Sequence, residues 1–264
     1  MKTVTTLLVK KLRSQTGAGI VDCKKALMET KGDIEKSIDF LRKIGQVKAS
    51  RKQSCIASNG SIFIKVHNMR TVMLELNCET DFVSKEDCFL SFGKEIINYV
   101  ASENVKDIKF IQDVFKRQRV DLVSRINENV VLRRIEIFEG DNISSYLHHN
   151  RIGVLLKTTL CNNKVLSKNL AMHIAASKPE YLRSDLIPNT VIEREYNIQL
   201  ELAKKSKKPE SIVEKIVKGR MLKFASEKCL LGQSFIFNPE KNVRDIILEN
   251  DINIVKFTRF EVGE

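Results

Sequence analysis

Residues able to carry covalent chemistry are few and badly spaced for it. The six cysteines, at 23, 55, 78, 88, 161 and 229, include no C-x-x-C pair and no histidine at ligand spacing. Neither structural zinc nor a disulfide framework is expected from this pattern; reduced, mostly buried thiols are. His148 and His149 are adjacent, and neighbours on a strand or turn point apart, which favours a surface or packing role over a paired proton shuttle. His173 falls on an apolar helix face and reads as a core histidine. Asp81 has no local partner that would make it a general base. There is no G-x-x-x-x-G-K-[ST], no G-x-G-x-x-G and no G-x-S-x-G. The nearest approach to a phosphate loop, Thr16-Gly17-Ala18-Gly19, lies between two helical patterns rather than after a strand and reads as a turn. No catalytic residue, bound metal or cofactor is expected.

One residue stands out for another reason. In LELNCETDFVSK, residues 74 to 85, Leu74, Leu76 and Cys78 alternate with Glu75, Asn77 and Glu79, the period of a half-buried strand. The alternation then breaks into Thr80-Asp81-Phe82-Val83. An aromatic residue near a strand end is ordinarily core, and Asp81 could simply cap a turn. Pattern alone leaves open whether Phe82 folds inward or is held out.

The elements that must position these residues read as follows. Residues 5 to 45 form a small helical unit: Leu7, Leu8 and Leu12, then Val21, Ala26 and Leu27, and after Lys31-Gly32-Asp33 a third helix with Ile34, Ile38 and Leu41. Three helices in so short a stretch make a marginal core that should pack on a neighbour or partner. The basic stretch 42 to 53 is the expected linker. Beyond it the chain repeats itself. SIFIKVHNMRTVMLELN (61 to 77) resembles ISSYLHHNRIGVLLKTT (143 to 159), and FGKEIINYVAS (92 to 102) resembles NLAMHIAASKP (169 to 179). The first copy carries about six extra residues between strand and helix, and ETDFVSKED lies in them. Residues 103 to 128 are helical in pattern, and 130 to 140 alternate as a strand. Two helices follow Pro188, joined near Ser206 to Pro209, with Pro209 opening the second, whose apolar face is Ile212, Val213, Ile216, Val217 and Met221. Strands return at QSFIFNP and INIVKFTRFEVGE.

The expected fold is thus α+β, with five segments: a three-helix domain and linker (1–54), a first core subdomain (55–140), the first part of a second (141–187), an inserted helical hairpin (188–228), and the rest of the second subdomain (229–264).

Bulk properties agree with a folded, soluble chain: 264 residues, 42% hydrophobic and 30% charged. No apolar run reaches the length of about 20 residues that a membrane span requires, so no membrane association is expected. The N-terminus has no apolar core or small-residue cleavage site, which disfavours a secretory signal and points to the cytoplasm. The formal net charge of +12 suits phosphate backbones or an acidic protein surface. The lysines are nonetheless spread along the chain, and no aromatic-studded basic motif accompanies them. A basic ribosome- or RNA-associated protein is the alternative reading that this charge supports.

LRSQTGAGIVDCKKAL (12 to 27) and ELNCETDFVSK (75 to 85) resemble the two signature segments of elongation factor Ts, the guanine nucleotide exchange factor of elongation factor Tu. HNRIGVLL, MHIAASKPEYL, KGRMLKF, LLGQSF and RFEVGE agree in order and spacing, so the resemblance spans essentially the whole chain. It implies a non-enzymatic translation factor whose partner is the GTPase elongation factor Tu and which binds no nucleotide itself. The N-terminal helices, similar to ubiquitin-associated domains, would dock on the GTPase domain through Arg13, Ile20 and Val21. Thr80, Asp81, Phe82 and Val83 would form the intrusive loop, with Phe82 its wedge. His148 would lie near the partner's phosphate-loop region, and Ile236 and Phe237 would touch another of its domains. The helical hairpin is a candidate homodimer contact. Two departures accompany the match: Ile20-Val21 stand where methionines are common, and many members continue beyond FEVGE with a helical module.

Overall fold

The computed structural model describes residues 4–159, 163–205 and 209–264. They divide into two compact units. The first is Met1–Ile137 with His149–Arg151 and Phe260–Glu264, and the second is Phe138–His148 with Ile152–Arg259.

The first unit begins with three helices, α1 (Thr6–Thr16), α2 (Ile20–Glu29) and α3 (Ile34–Lys52). The Thr5 and Asp33 side chains accept backbone N–H groups at the starts of α1 and α3. Gly17, at φ 68°, closes α1 in the left-handed conformation that glycine adopts without strain. Leu12, Ala18, Cys23, Ala26, Leu27 and Leu41 form the small core between them. Leu7, expected on the apolar face, is 76% exposed. The expected linker at 42 to 53 is instead the last turns of α3. No proline breaks it, and Ala49 is buried in the main core of the unit, so the helix continues as a packed element.

β1 (Asn59–His67) and β2 (Arg70–Cys78) pair antiparallel in the register Asn59↔Cys78 to His67↔Arg70. Next come α4 (Asp87–Glu103), α5 (Ile108–Val114), α6 (Lys116–Ile126) and β3 (Val131–Glu139). The sheet order is β1-β2-β3. α4 lays Phe89, Phe92, Ile96, Ile97 and Val100 into a core with Phe63, Leu74 and Leu76. A Cβ at Gly93 would come within 2.2 Å of the Phe63 ring, so glycine there sets how closely helix and sheet approach.

β2 departs from the alternating pattern. It is buried on both faces, with Glu75 at 0% and Asn77 at 1% exposure. The reason is what covers its second face. Arg133 of β3 donates to Glu75 Oε1 at 3.1 Å and Arg134 to Oε2 at 2.5 Å. The N–H of Gly263 donates to Oε1 at 3.2 Å. A polar residue that alternation assigns to solvent is here a paired, buried carboxylate.

The second unit repeats the strand-turn-strand-helix order. β4 (Ile143–His148) and β5 (Ile152–Thr158) pair antiparallel, and α7 (Lys164–Ser177) packs Leu166, Leu170 and Ile174 with Val154 and Leu156. The connection between strand and helix runs over 79–86 in the first copy; in the second, β5 ends at Thr158 and α7 begins at Lys164, with 160–162 outside the described residues. The rest of the extra length in the first copy is helix, since α4 has 17 residues and α7 has 14. α8 (Asn189–Lys204) and α9 (Glu210–Lys228) pack through Ala203, Val213 and Val217. Pro209 caps α9, where its missing N–H costs nothing; the join at 206–208 lies outside the described residues. β6 (Ser234–Phe235), β7 (Asn238–Asn242), α10 (Val243–Glu249) and β8 (Ile254–Glu261) complete the unit, with sheet order β4-β5-β8. No helix among the described residues is long and apolar enough to cross a membrane.

Candidate functional site

The loop after β2 is built from its backbone outward. Thr80 N–H and Glu79 N–H both donate to Oε2 of Glu128, at 3.0 and 3.1 Å, and the Thr80 hydroxyl donates to Oε1 at 2.7 Å. Thr80 Oγ1 accepts the Val83 N–H at 3.4 Å, and Thr80 O accepts the Ser84 N–H at 3.3 Å. Phe82 O accepts the Lys85 N–H at 3.1 Å, closing a single 3-10 turn over Val83–Lys85. Ser84 Oγ donates to Asp81 O at 2.7 Å, and Ser61 Oγ donates to Ser84 O at 3.1 Å.

Within that turn the side chains part company. Val83 is 9% exposed and joins the core, whereas Phe82 is 78% exposed. Consecutive residues in a helical turn point about 100° apart, so seating Val83 inward swings Phe82 outward. Asp81 pairs with Lys85 Nζ at 3.0 Å, and that hydrogen bond, with the lysine charge, lowers its carboxyl below the ordinary range. Four residues of the motif thus have four roles: Thr80 a brace, Asp81 an exposed anion, Phe82 an exposed ring, Val83 an anchor.

The remaining candidates fall in two other places. In the N-terminal helices Arg13 is exposed, with Ile20 at 55% and Val21 at 78%, so these two apolar residues face out and not into the small core. In the second unit His148 is exposed at the end of β4, with Nδ1 3.0 Å from Tyr146 Oη. Ile236 and Phe237 form the two-residue turn between β6 and β7 and are 41% and 49% exposed. His148 and Ile236 come together on one cavity of 290 Å³, which Tyr146, Met172 and Lys178 also line. Among the described residues no group of three or more His, Cys, Asp or Glu could hold a metal ion.

Comparison with known proteins identifies the family. The family model described as Elongation factor TS matches residues 79–264. A protein named Elongation factor Ts from Buchnera aphidicola subsp. Baizongia pistaciae is 55% identical over 264 residues, covering 100% of this chain and 99% of its own length. The chain belongs to the elongation factor Ts family. Proteins of the same name from Buchnera aphidicola subsp. Acyrthosiphon pisum and from Yersinia pestis are 51% and 48% identical, covering 98% and 93% of their own lengths. Membership of this family makes the chain a translation elongation factor.

Three residues of this family member matter to the candidate site and escaped sequence reasoning. Glu128 braces the Phe82 loop from the turn before β3, far along the chain, and no local signal marks it. Tyr146 sits two residues before His148, on the same face of one strand, so period-two reasoning could have paired them. Gln233 orders a buried network beneath the Ile236–Phe237 turn. Its amide nitrogen donates to Ser177 O at 3.2 Å and Glu227 O at 2.7 Å, which leaves Oε1 to accept from His173 Nε2 at 3.1 Å. His173 Nδ1 is therefore the acceptor, and the Ile236 N–H meets it at 3.4 Å. Burial, opposed by the Gln233 hydrogen bond, lowers the His173 pKa and keeps this neutral tautomer in place.

Proposed function

We propose that this translation factor binds elongation factor Tu carrying GDP and speeds GDP release, after which GTP rebinds and displaces it. The proposal rests on one observation above all. Phe82 is 78% exposed on a loop whose backbone is bonded on both sides of it. Leaving a phenyl ring in water forgoes about 1.5–3 kcal/mol of burial free energy. A braced loop that bears this cost has the form of a wedge awaiting an apolar cleft.

The physical logic is linkage. A protein that binds the nucleotide-free partner more tightly than the nucleotide-bound one weakens nucleotide binding by the same factor. Inserting Phe82 between helices of the GTPase domain would separate the groups that hold Mg²⁺ and the phosphates, losing charge-assisted bonds and hastening release. Asp81 accompanies the ring, while Thr80 and Val83 hold the turn that carries it. Arg13, Ile20 and Val21 would seat the N-terminal helices on the GTPase domain. His148 would approach the partner's phosphate-loop region, and Ile236 and Phe237 would pack on another of its domains. No bond is made or broken, and this chain contacts no nucleotide.

The test is the rate at which labelled GDP leaves purified elongation factor Tu when the protein is added, with wild type and with Phe82→Ala. Wild type accelerates release and the variant does so far less. An unchanged release rate with folded wild type rejects the proposal.

A further inference from the structure

We propose that Glu128 is the positioning residue of the Phe82 loop, fixing the ring in the pose that exchange uses; this rests on Phe82 being the exchange element. Two successive backbone N–H groups, of Glu79 and Thr80, converge on one oxygen of its carboxylate, and the Thr80 hydroxyl occupies the other. Adjacent N–H groups converging on an anion form a tight cradle, and a charged acceptor makes each bond stronger than a neutral one would. The consequence runs directly to Phe82. With its proton donated to Glu128, Thr80 Oγ1 presents a lone pair to the Val83 N–H, and that bond starts the turn that buries Val83 and expels Phe82.

The arrangement is also reciprocal. While Glu128 receives the backbone of Glu79, the carboxylate of Glu79 accepts the N–H of Asn129, the residue after Glu128, at 2.7 Å. Lys52, at the end of α3, donates to the same Glu79 carboxylate at 3.2 Å. Burial pushes the Glu79 carboxyl up, but the Asn129 and Lys52 bonds outweigh it and the group stays below the ordinary range. Asn129 Nδ2 donates to Cys55 O at 2.9 Å, and Asn59 Nδ2 to Glu79 O at 2.9 Å. The turn carrying Glu128 is therefore itself pinned, as a positioning group must be. Removing its carboxylate strands three donors at once, the Glu79 and Thr80 N–H groups and the Thr80 hydroxyl, and takes away the brace at Thr80 while Glu79 stays held by Asn59, Asn129 and Lys52.

The chain contains no tryptophan, so Phe82→Trp makes a single fluorescent reporter at the position in question. Time-resolved anisotropy of that lone indole in the free protein reads loop order with no partner present. Glu128→Ala should add fast local depolarisation, while Glu128→Gln, which keeps an acceptor oxygen for the N–H pair, should leave the decay close to that of the parent. In GDP release with Phe82 restored, Glu128→Ala should lower the acceleration about tenfold, and Glu128→Gln should stay within about twofold of wild type. Thr80→Val, which removes the hydroxyl linking Glu128 to the Val83 N–H but keeps the two backbone N–H groups on the carboxylate, should lie between them and serves if Glu128→Ala does not fold.

An unchanged indole decay in Glu128→Ala overturns the proposal. So does a Glu128→Ala protein that accelerates release like wild type while Phe82→Ala does not. Full acceleration by Phe82→Ala would instead reject the wedge itself, and with it any role of Glu128 in exchange. A purely structural role would lower stability in both Glu128 variants and separate neither their anisotropy nor their exchange.

Discussion

Phe82 and Val83 are neighbours with opposite fates, and truncating each to alanine should give opposite phenotypes. Phe82 is 78% exposed and Val83 9%. With roughly a fifth of its surface covered, the Phe82 ring contributes no more than about 0.5 kcal/mol to folding. Val83 reaches the core that includes Val72, Leu74 and Phe89, and removing its two methyl groups should cost about 2 kcal/mol through lost burial and a residual cavity. Exchange reverses the order. An aromatic side chain that inserts into a partner is worth at least about 2 kcal/mol, so Phe82→Ala should lower GDP-release acceleration by about 30-fold. Urea denaturation followed by circular dichroism measures the first pair of numbers, and stopped-flow release of labelled GDP from elongation factor Tu measures the other. If Phe82→Ala lowers the denaturation midpoint as far as Val83→Ala does, the ring is packed within the protein in solution. If it leaves midpoint and exchange both intact, Phe82 is exposed without being used. Either result refutes the reasoning.

Other consequences follow from buried polar groups. Glu75→Ala leaves Arg133, Arg134 and the Gly263 N–H facing an empty site and should cost about 3–5 kcal/mol, read as a lower urea midpoint. For His173, burial holds the folded-state pKa below the unfolded value, so the neutral ring's contribution is complete above the ordinary pKa of about 6.5 and is lost as pH falls below it. Wild type should therefore lose more melting temperature between pH 7.5 and pH 5 than His173→Asn; equal losses would show that His173 does not titrate this way. Burial, with the nearby Glu128 charge adding to it, pushes the Cys78 thiol up to about 12. Iodoacetamide at pH 8 should alkylate the partly exposed Cys55 and Cys88 of the folded protein well before Cys78, which peptide mass spectrometry can rank.

Much of the architecture was legible along the chain because each such feature is local. Apolar residues at helical spacing, the glycine turn at 17 to 19, and a strand-turn-strand-helix order that occurs twice all reflect contacts between residues close in sequence. The absence of phosphate-loop and hydrolase motifs was equally readable, as were the signature segments around Arg13, Ile20, Val21 and Phe82. The misreadings have one physical source. Alternation in β2 told which residues are polar, but whether a polar residue meets water depends on what lies over it; Arg133, Arg134 and the Gly263 N–H make Glu75 core. The 42 to 53 stretch is basic and reads as a linker, yet burial of Ala49 keeps it helical.

The site divides along the same line. Composition and order of residues determined that an aromatic ring stands beside a strand end and that a histidine follows a tyrosine by two. Which way Phe82 points was decided only by tertiary structure. Its own neighbours are compatible with either orientation, and the choice is made by Val83 entering the core and by Glu128, across the fold, holding the Thr80 backbone and hydroxyl.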